Sequence, residues 1–324
     1  MENVSKLVDY LEHSFLSPLL EQEEITDISY NGEYIYCQSN KFGRKKSDIN
    51  ISFSEVGAFL RQIANYSEKQ FSYLEPFLDV SFSKYRLNAA FLSIARVDNT
   101  KSYSFSLRIA KKGSAIISNP DFFKGDSKEL LLTALKDKQS IVIGGETGSG
   151  KTELQKFLLM NLNPSTRVIV IDNVMELELS RGFSNLDMTC WVVDDRNEKS
   201  SYSYLIKNSL RNNPDYLILA ESRGEEMLDA LNCVMSGHPL ITTFHAKDIE
   251  SMPFRMARMA MMSSKRLDYN DLLSDIYHHF SIFVYLKAKV VNGCYKRYVD
   301  SIGKLNEREK KVEIIYQRGD IGNE

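Results

Sequence analysis

The sequence predicts an α/β fold in its C-terminal half, a parallel sheet covered by helices on both faces, preceded by an N-terminal α+β domain. Three observations predict it. Short apolar runs alternate with helical stretches from residue 127 onward, the grammar of a buried parallel sheet. A glycine-rich octapeptide, Gly145-Glu146-Thr147-Gly148-Ser149-Gly150-Lys151-Thr152, joins one such run to the helix after it. The chain has 324 residues, more than the roughly 250–300 at which single cores stop growing, so two domains are expected.

The N-terminal domain is expected over residues 1–112. Val4, Leu7, Val8, Leu11 and Phe15 recur at helical spacing, and Pro18 follows. Ile25–Tyr30 and Tyr34–Cys37 flank Asn31-Gly32, a hairpin signal. Ser54 is placed to cap a helix running to about Asn65, with Glu55 in its first turn. Leu78–Phe82, Leu87–Ile94 and Tyr103–Ile109 read as strands. Residues 113–125 hold Gly113, Asn119-Pro120 and Gly125 and are expected to link the domains.

The C-terminal domain is expected over residues 126–324. Helix Ser127–Lys138 and strand Ile141–Gly144 precede the glycine-rich turn, and a helix runs from there to about Leu162. Strand Val168–Ile171, helix Tyr202–Arg211, strand Tyr216–Ala220, helix Glu225–Met235, strand Leu240–Phe244 and helix Ile249–Met262 follow. His279–Leu286, Val290–Asp300 and Lys310–Gln317 read as β-hairpins, with Asn292-Gly293 as one turn. Met252, Met256, Met259, Met261 and Met262 read mainly as core packing, and secondarily as an adaptable contact surface.

Composition narrows the class. Hydrophobic residues make up 43% and charged residues 26%, enough apolar side chains for a sizeable core. A net charge of -2 argues against a surface built wholly for nucleic acid. Cys37, Cys190, Cys233 and Cys294 stand singly, which fits a reducing compartment and argues against a disulfide framework or a structural zinc site. Apolar runs such as Tyr216–Ala220 fall far short of the ~20 residues of a membrane span. Residues 1–10 lack the blocks of a signal peptide, so a cytoplasmic protein is expected.

The octapeptide fits G-x-x-x-x-G-K-[ST] in full. Its glycines let backbone N–H groups wrap phosphate oxygens, and the following helix offers its positive dipole end. Lys151 is expected to bridge the β- and γ-phosphates of a bound nucleotide, and Thr152 to offer its hydroxyl to Mg²⁺. A strand that ends in a carboxylate, Tyr216–Ala220 then Glu221, supplies the candidate that orients and deprotonates water, since parallel sheets carry their chemistry at that edge. Arg223 follows at once. Ala220 stands where many such enzymes have Asp, so Glu221 would reach the metal through water. Asp172 and Glu176, after Val168–Ile171, are candidates for a second carboxylate that helps hold the water or the metal. His238 and His245 flank Leu240–Phe244, and His245 would sense the γ-phosphate.

Together these stretches resemble the secretion ATPase superfamily, the traffic ATPases of type II secretion, type IV pili, Tad pili and conjugative type IV secretion. Residues 145–152 resemble its P-loop, Val168–Leu177 its Asp box, Leu210-Arg211 through Asp215 to Glu221-Ser222-Arg223-Gly224-Glu225 its Walker B region, and Ser236–Ala246 its His box. Tyr85-Arg86-Leu87-Asn88-Ala89 and Ser106-Leu107-Arg108-Ile109 are similar to two N-terminal stretches of the family. The resemblance implies a RecA-like P-loop ATPase domain, binding of ATP and Mg²⁺, and arginines, here Arg86 and Arg108, reaching the phosphates. It also implies a homo-oligomeric ring, a hexamer, acting at the inner face of the cell membrane through a platform or secretion-channel protein, with no sequence-specific nucleic-acid binding. The chain departs from the pattern at Asp172-Asn173, Ala220 and Pro239. The lack of a tetracysteine insert favours the conjugative or Tad branch. A DNA translocase and a small-molecule P-loop kinase stay open as alternatives; a GTPase is disfavoured because no guanine-reading Asn-Lys-x-Asp is present.

Overall fold

A computed structural model describes residues 2–39, 42–110, 113–178, 185–194, 197–291 and 294–319. The chain divides into two compact units, Met1–Lys111 with Val290–Tyr295, and Lys112–Lys289 with Lys296–Glu324.

The first unit is α+β. Helix α1 (Glu2–Glu12) and the short α2 (Ser17–Leu20), with Pro18 in its first turn, precede strands β1 (Ile25–Tyr30), β2 (Ile35–Ser39) and β3 (Gly43–Lys46). Helix α3 (Phe53–Tyr66) leads to β4 (Phe77–Phe82), β5 (Tyr85–Ala90), the small ladder β6 (Arg96–Val97) with β7 (Thr100–Lys101), and β8 (Ser104–Ile109). The main sheet has the order β3-β2-β1-β8-β5-β4. Asn31-Gly32 does make a hairpin, but through a longer loop. The β1–β2 ladder closes at Tyr30 opposite Ile35, and the Asn31 side chain accepts the N–H groups of Glu33 and Tyr34. The cap of α3 is Ser52 rather than Ser54. The Ser52 hydroxyl accepts the Glu55 N–H while the Glu55 carboxylate accepts the Ser52 N–H, and this reciprocal pair outcompetes a cap two residues on. Leu7, Leu11, Phe59, Leu60 and Ile63 bury one side of the helices against Ile28, Leu87 and Leu107 of the sheet. Each such side chain contributes about 1.5–3 kcal/mol.

The second unit contains α4 (Ser127–Lys136), β9 (Ile141–Gly145), α5 (Lys151–Met160), β10 (Arg167–Asp172), β11 (Asp187–Val192) and α6 (Tyr202–Ser209). Then come β12 (Tyr216–Leu219), α7 (Glu226–Met235), β13 (Leu240–His245), α8 (Met252–Ala260) and α9 (Tyr269–His279), and finally β14 (Ile282–Val291) and β15 (Cys294–Asn306), apart from their ends within Val290–Tyr295, and β16 (Lys311–Gln317). The sheet order is β11-β10-β12-β13-β9-β14-β15-β16. The ladders from β11 through β14 are parallel, and β15 pairs antiparallel with β16. Alternation explains the unbroken apolar runs. Val142, Ile169, Ile171, Leu217 and Leu219 join the core under α6–α9, while Ile141, Ile143, Val168, Val170 and Ile218 join the core under α4 and α5.

Further departures from the sequence expectation lie beyond the first unit. Strand β11 and helix α9 belong to the architecture without having been read from the sequence. The strand read at His279–Leu286 does not open a separate hairpin region, because β14 extends the parallel sheet beside β9. Residues 113–125 sit on the second unit: the Ser114 hydroxyl donates to the Glu153 carbonyl at 2.8 Å, and Phe122 is buried. The expected turn at Asn292-Gly293 lies outside the described residues. Of the methionines, Met252, Met256 and Met259 are core, while Met261 and Met262 are exposed.

Candidate functional site

Strand β9 delivers the chain to the carboxyl edge of the sheet at Gly145, and α5 starts at Lys151. Two glycines make the intervening loop possible. A Cβ on Gly145 would stand 2.6 Å from both the Leu286 carbonyl oxygen and the Ser149 hydroxyl. Gly150 caps α5 at φ 98°, which L side chains rarely adopt. Glu146, Thr147 and Gly148 are exposed, Thr152 lies partly exposed on the first helical turn, and the Ser149 hydroxyl is buried with no hydrogen-bond partner.

Lys151 is almost fully buried. Its ammonium donates to the carbonyls of Gly145 (3.0 Å) and Glu146 (2.9 Å) and reaches Nδ1 of His245 at 3.2 Å. Burial pushes its pKa down to about 8, and the nearby Glu221 carboxylate offsets part of that. His245, at the end of β13, presents Nε2 to Glu221 Oε1 at 3.3 Å. Its pKa is lowered, first by burial and then by Lys151. A neutral imidazole with the proton on Nε2 satisfies both contacts, accepting from Lys151 and donating to Glu221.

Glu221 lies two residues past the end of β12, after Ala220. The other oxygen of its carboxylate takes a hydrogen bond from Arg223 at 2.7 Å. Burial pushes this carboxyl up, but the hydrogen bond and charge of Arg223, with His245 and Lys151, outweigh it and hold the group below its ordinary value. Three contacts fix the strand end that carries it. The Thr243 hydroxyl donates to the Ala220 carbonyl at 2.7 Å, Ser222 N–H donates to the Thr243 carbonyl at 2.8 Å, and the Ser222 and Thr242 hydroxyls meet at 2.9 Å. The half-turn after it is held by Glu226, whose carboxylate accepts the N–H groups of Arg223 and Gly224.

The structure thus brings Lys151, Glu221, Arg223 and His245 together at one sheet edge. Asp172 and Glu176 make other contacts. The Asp172 carboxylate is buried and accepts the Val174 and Leu177 N–H groups at 3.0 and 3.3 Å, which shapes the loop after β10. Glu176 pairs at 3.5 Å with Lys156, a fully buried lysine of α5 that also pairs with Glu153 at 3.1 Å. His238 sits before β13 with Nδ1 3.2 Å from the Ser236 hydroxyl. In the first unit, Arg86 and Arg108 lie opposite each other in the β5–β8 ladder, 3.4 Å from Asp79 and 3.5 Å from Asp27 respectively.

Sequence reading missed Gln155 and Lys156. Gln155 is one helical turn beyond Lys151 and donates to the Leu219 carbonyl at 2.8 Å, tying α5 to the end of β12, two residues before Glu221. The signal was its i+4 spacing from Lys151 on the same helix face.

The family model described as "Type II/IV secretion system protein" matches residues 94–296, more than half of the chain. The chain belongs to this family. An uncharacterized protein of Bacillus anthracis is 27% identical over 278 residues, covering 84% of this chain and 60% of that protein. The type IV secretion system protein VirB11 of Brucella suis biovar 1 is 31% identical over 174 residues, covering 52% of this chain and 48% of that one. The chain therefore spans about half to three-fifths of the length of these curated relatives. The Legionella pneumophila ATPase DotB shares the fold, with a TM-score of 0.66, 18% identity, and coverage of 94% of this chain and 82% of that one. Family and fold agree with the secretion ATPase resemblance and with a RecA-like domain behind an N-terminal domain. Among the described residues no helix is long and apolar enough to cross a membrane.

Proposed function

We propose that the chain is an ATPase that drives a type IV secretion, conjugation or related pilus machine as one subunit of a ring, most simply a hexamer. The observation that carries the reading is the convergence of Lys151, His245 and Glu221 from three neighbouring elements beside a glycine loop. On this reading Gly145–Thr152 grips the triphosphate: backbone N–H groups and the α5 N-terminus meet its oxygens, and Lys151 exchanges the Gly145 and Glu146 carbonyls for them. The tight loop, the buried Ser149 hydroxyl without a partner and the buried ammonium fit such a ligand. Thr152 would hold Mg²⁺, with Glu221 reaching it through water; when bound, the ion neutralises charge on the phosphates.

Glu221, kept ionised by Arg223, orients the attacking water and receives its proton. His245, touching both Lys151 and Glu221, senses the γ-phosphate. Arg86 and Arg108 stabilise charge on the transferring phosphate. Asp172 and Glu176 support the water or metal indirectly, through the loop they brace. A platform or channel protein at the inner face of the cell membrane would receive the motion.

The test is Glu221→Gln. It should bind ATP with near wild-type affinity while steady-state hydrolysis falls at least about 100-fold, as expected when a positioned base is lost. Near-normal turnover removes Glu221 from the mechanism. Sedimentation with ATP should show an assembly several times the 37.2 kDa subunit, and a strict monomer counts against the ring.

A further inference from the structure

One arginine touches the phosphate loop without belonging to any motif. Arg297 lies on β15, remote in sequence from the loop, and its Nε–H donates to the Gly148 carbonyl at 2.5 Å. Its stem covers the next turn of the loop, since a Cβ on Gly150 would stand 3.5 Å from Arg297 Cδ. The strand that carries it is anchored: Val299 N–H donates to the Phe122 carbonyl at 3.0 Å, and both residues are buried.

The segment it grips is conformationally soft. Gly148 and Gly150 take φ of 77° and 98°, and nothing lies within 4 Å of where a Cβ on Gly148 would be. Across a planar trans peptide the carbonyl and the next N–H point opposite ways. Holding the Gly148 carbonyl therefore fixes the Ser149 N–H on the other side of the same peptide plane, where it donates to the Glu146 carbonyl at 3.2 Å and closes the turn. A charge-assisted bond to a loop carbonyl does not compete with phosphate for the loop's N–H groups, so it can persist when a ligand arrives.

We infer that Arg297 is a positioning residue for the phosphate loop, acting through the Gly148 carbonyl to preorganise the loop's amides for a polyphosphate. This rests on the reading of Gly145–Thr152 as a phosphate site. A loop ordered in advance binds more tightly because less freedom is lost on binding.

The experiment has two readouts on the full chain. The first is hydrogen exchange of the amides of residues 146–150 without nucleotide, which does not depend on the ATPase reading. The second is calorimetric affinity for ATP, followed by kcat and KM. Arg297→Ala should speed exchange in the loop and weaken ATP binding about tenfold or more, with kcat changed far less than KM. Arg297→Lys should recover part of both, and Lys296→Ala, on the exposed neighbour, should change neither. Unaltered loop exchange in a folded Arg297→Ala protein overturns the inference, and so does faster exchange with unaltered ATP affinity. Failure of the wild-type chain itself to bind ATP would instead sink the phosphate-site reading, and with it the role inferred for Arg297.

Discussion

Nε2 of His245 lies 3.3 Å from the Glu221 carboxylate, so an imidazole joins the carboxyl ends of β13 and β12. Parallel pairing puts the two ends side by side, with Leu219 opposite Thr242 in the ladder. Nδ1 of the same ring meets the Lys151 ammonium. One side chain thus couples the group expected to grip phosphate to the group expected to activate water. Any shift of Lys151 toward a ligand alters what Glu221 feels.

This coupling predicts a division of labour. His245→Ala removes both contacts but leaves the glycine loop and Lys151 in place. ATP affinity should stay within about threefold, while single-turnover hydrolysis should slow roughly 10–100-fold. A variant that loses affinity and keeps its rate would make His245 a binding residue instead.

Nucleotide affinity should depend on pH through Lys151. Phosphate prefers the protonated amine, and in the free protein burial has lowered that pKa to about 8. Below that value affinity should be flat. Above it, each pH unit should weaken ATP binding by up to tenfold, about 1.4 kcal/mol. His245 adds no slope there, because its pKa is lowered and the ring is already neutral. The unliganded fold should respond in the opposite sense: it disfavours the ammonium, so stability rises as pH climbs from about 8 toward the unfolded value near 10.4. Calorimetry from pH 7 to 9.5 tests this, and a flat affinity across that range would contradict it.

Lys156 predicts a stability effect. It is fully buried and pairs with Glu153 and Glu176, so it braces α5 against the loop after β10. Lys156→Ala leaves two partly solvated carboxylates facing a void and should cost about 3 kcal/mol in urea unfolding. A loss under about 1 kcal/mol would mean that the brace is dispensable.

What could be read in advance followed from chemistry that is local in sequence. The loop at Gly145–Thr152 and the apolar strands β9, β10, β12 and β13 carry their own signals in period and glycine spacing. Glu221 and His245 were readable because each sits at the carboxyl end of such a strand, His245 as its last residue and Glu221 two residues past its end. The edge strand β11 was not, since Thr189 interrupts its apolar residues and, as an edge, it leaves Thr189, Cys190 and Trp191 only half-buried. Arg297 was not either, because its partner is a backbone carbonyl 149 residues away and a carbonyl leaves no mark in the sequence. Nothing in its local sequence distinguishes Lys156 from an ordinary helix cation, because Glu176 comes to it from another segment.

The last prediction concerns Arg86 and Arg108. They face each other across two neighbouring strands on the polar side of the first unit's sheet, and like charges set directly opposite destabilise a ladder. Asp79 and Asp27 soften the cost, but these pairs are partly exposed and long, at 3.4 and 3.5 Å, so each contributes at most about 1 kcal/mol. Replacing either arginine should therefore leave stability within about 0.5 kcal/mol or raise it slightly. If the pair is kept to meet phosphate, Arg86→Gln and Arg108→Gln should each cut ATP turnover by tenfold or more, with the melting temperature unchanged. Loss of stability without loss of turnover would assign the two residues to the sheet alone.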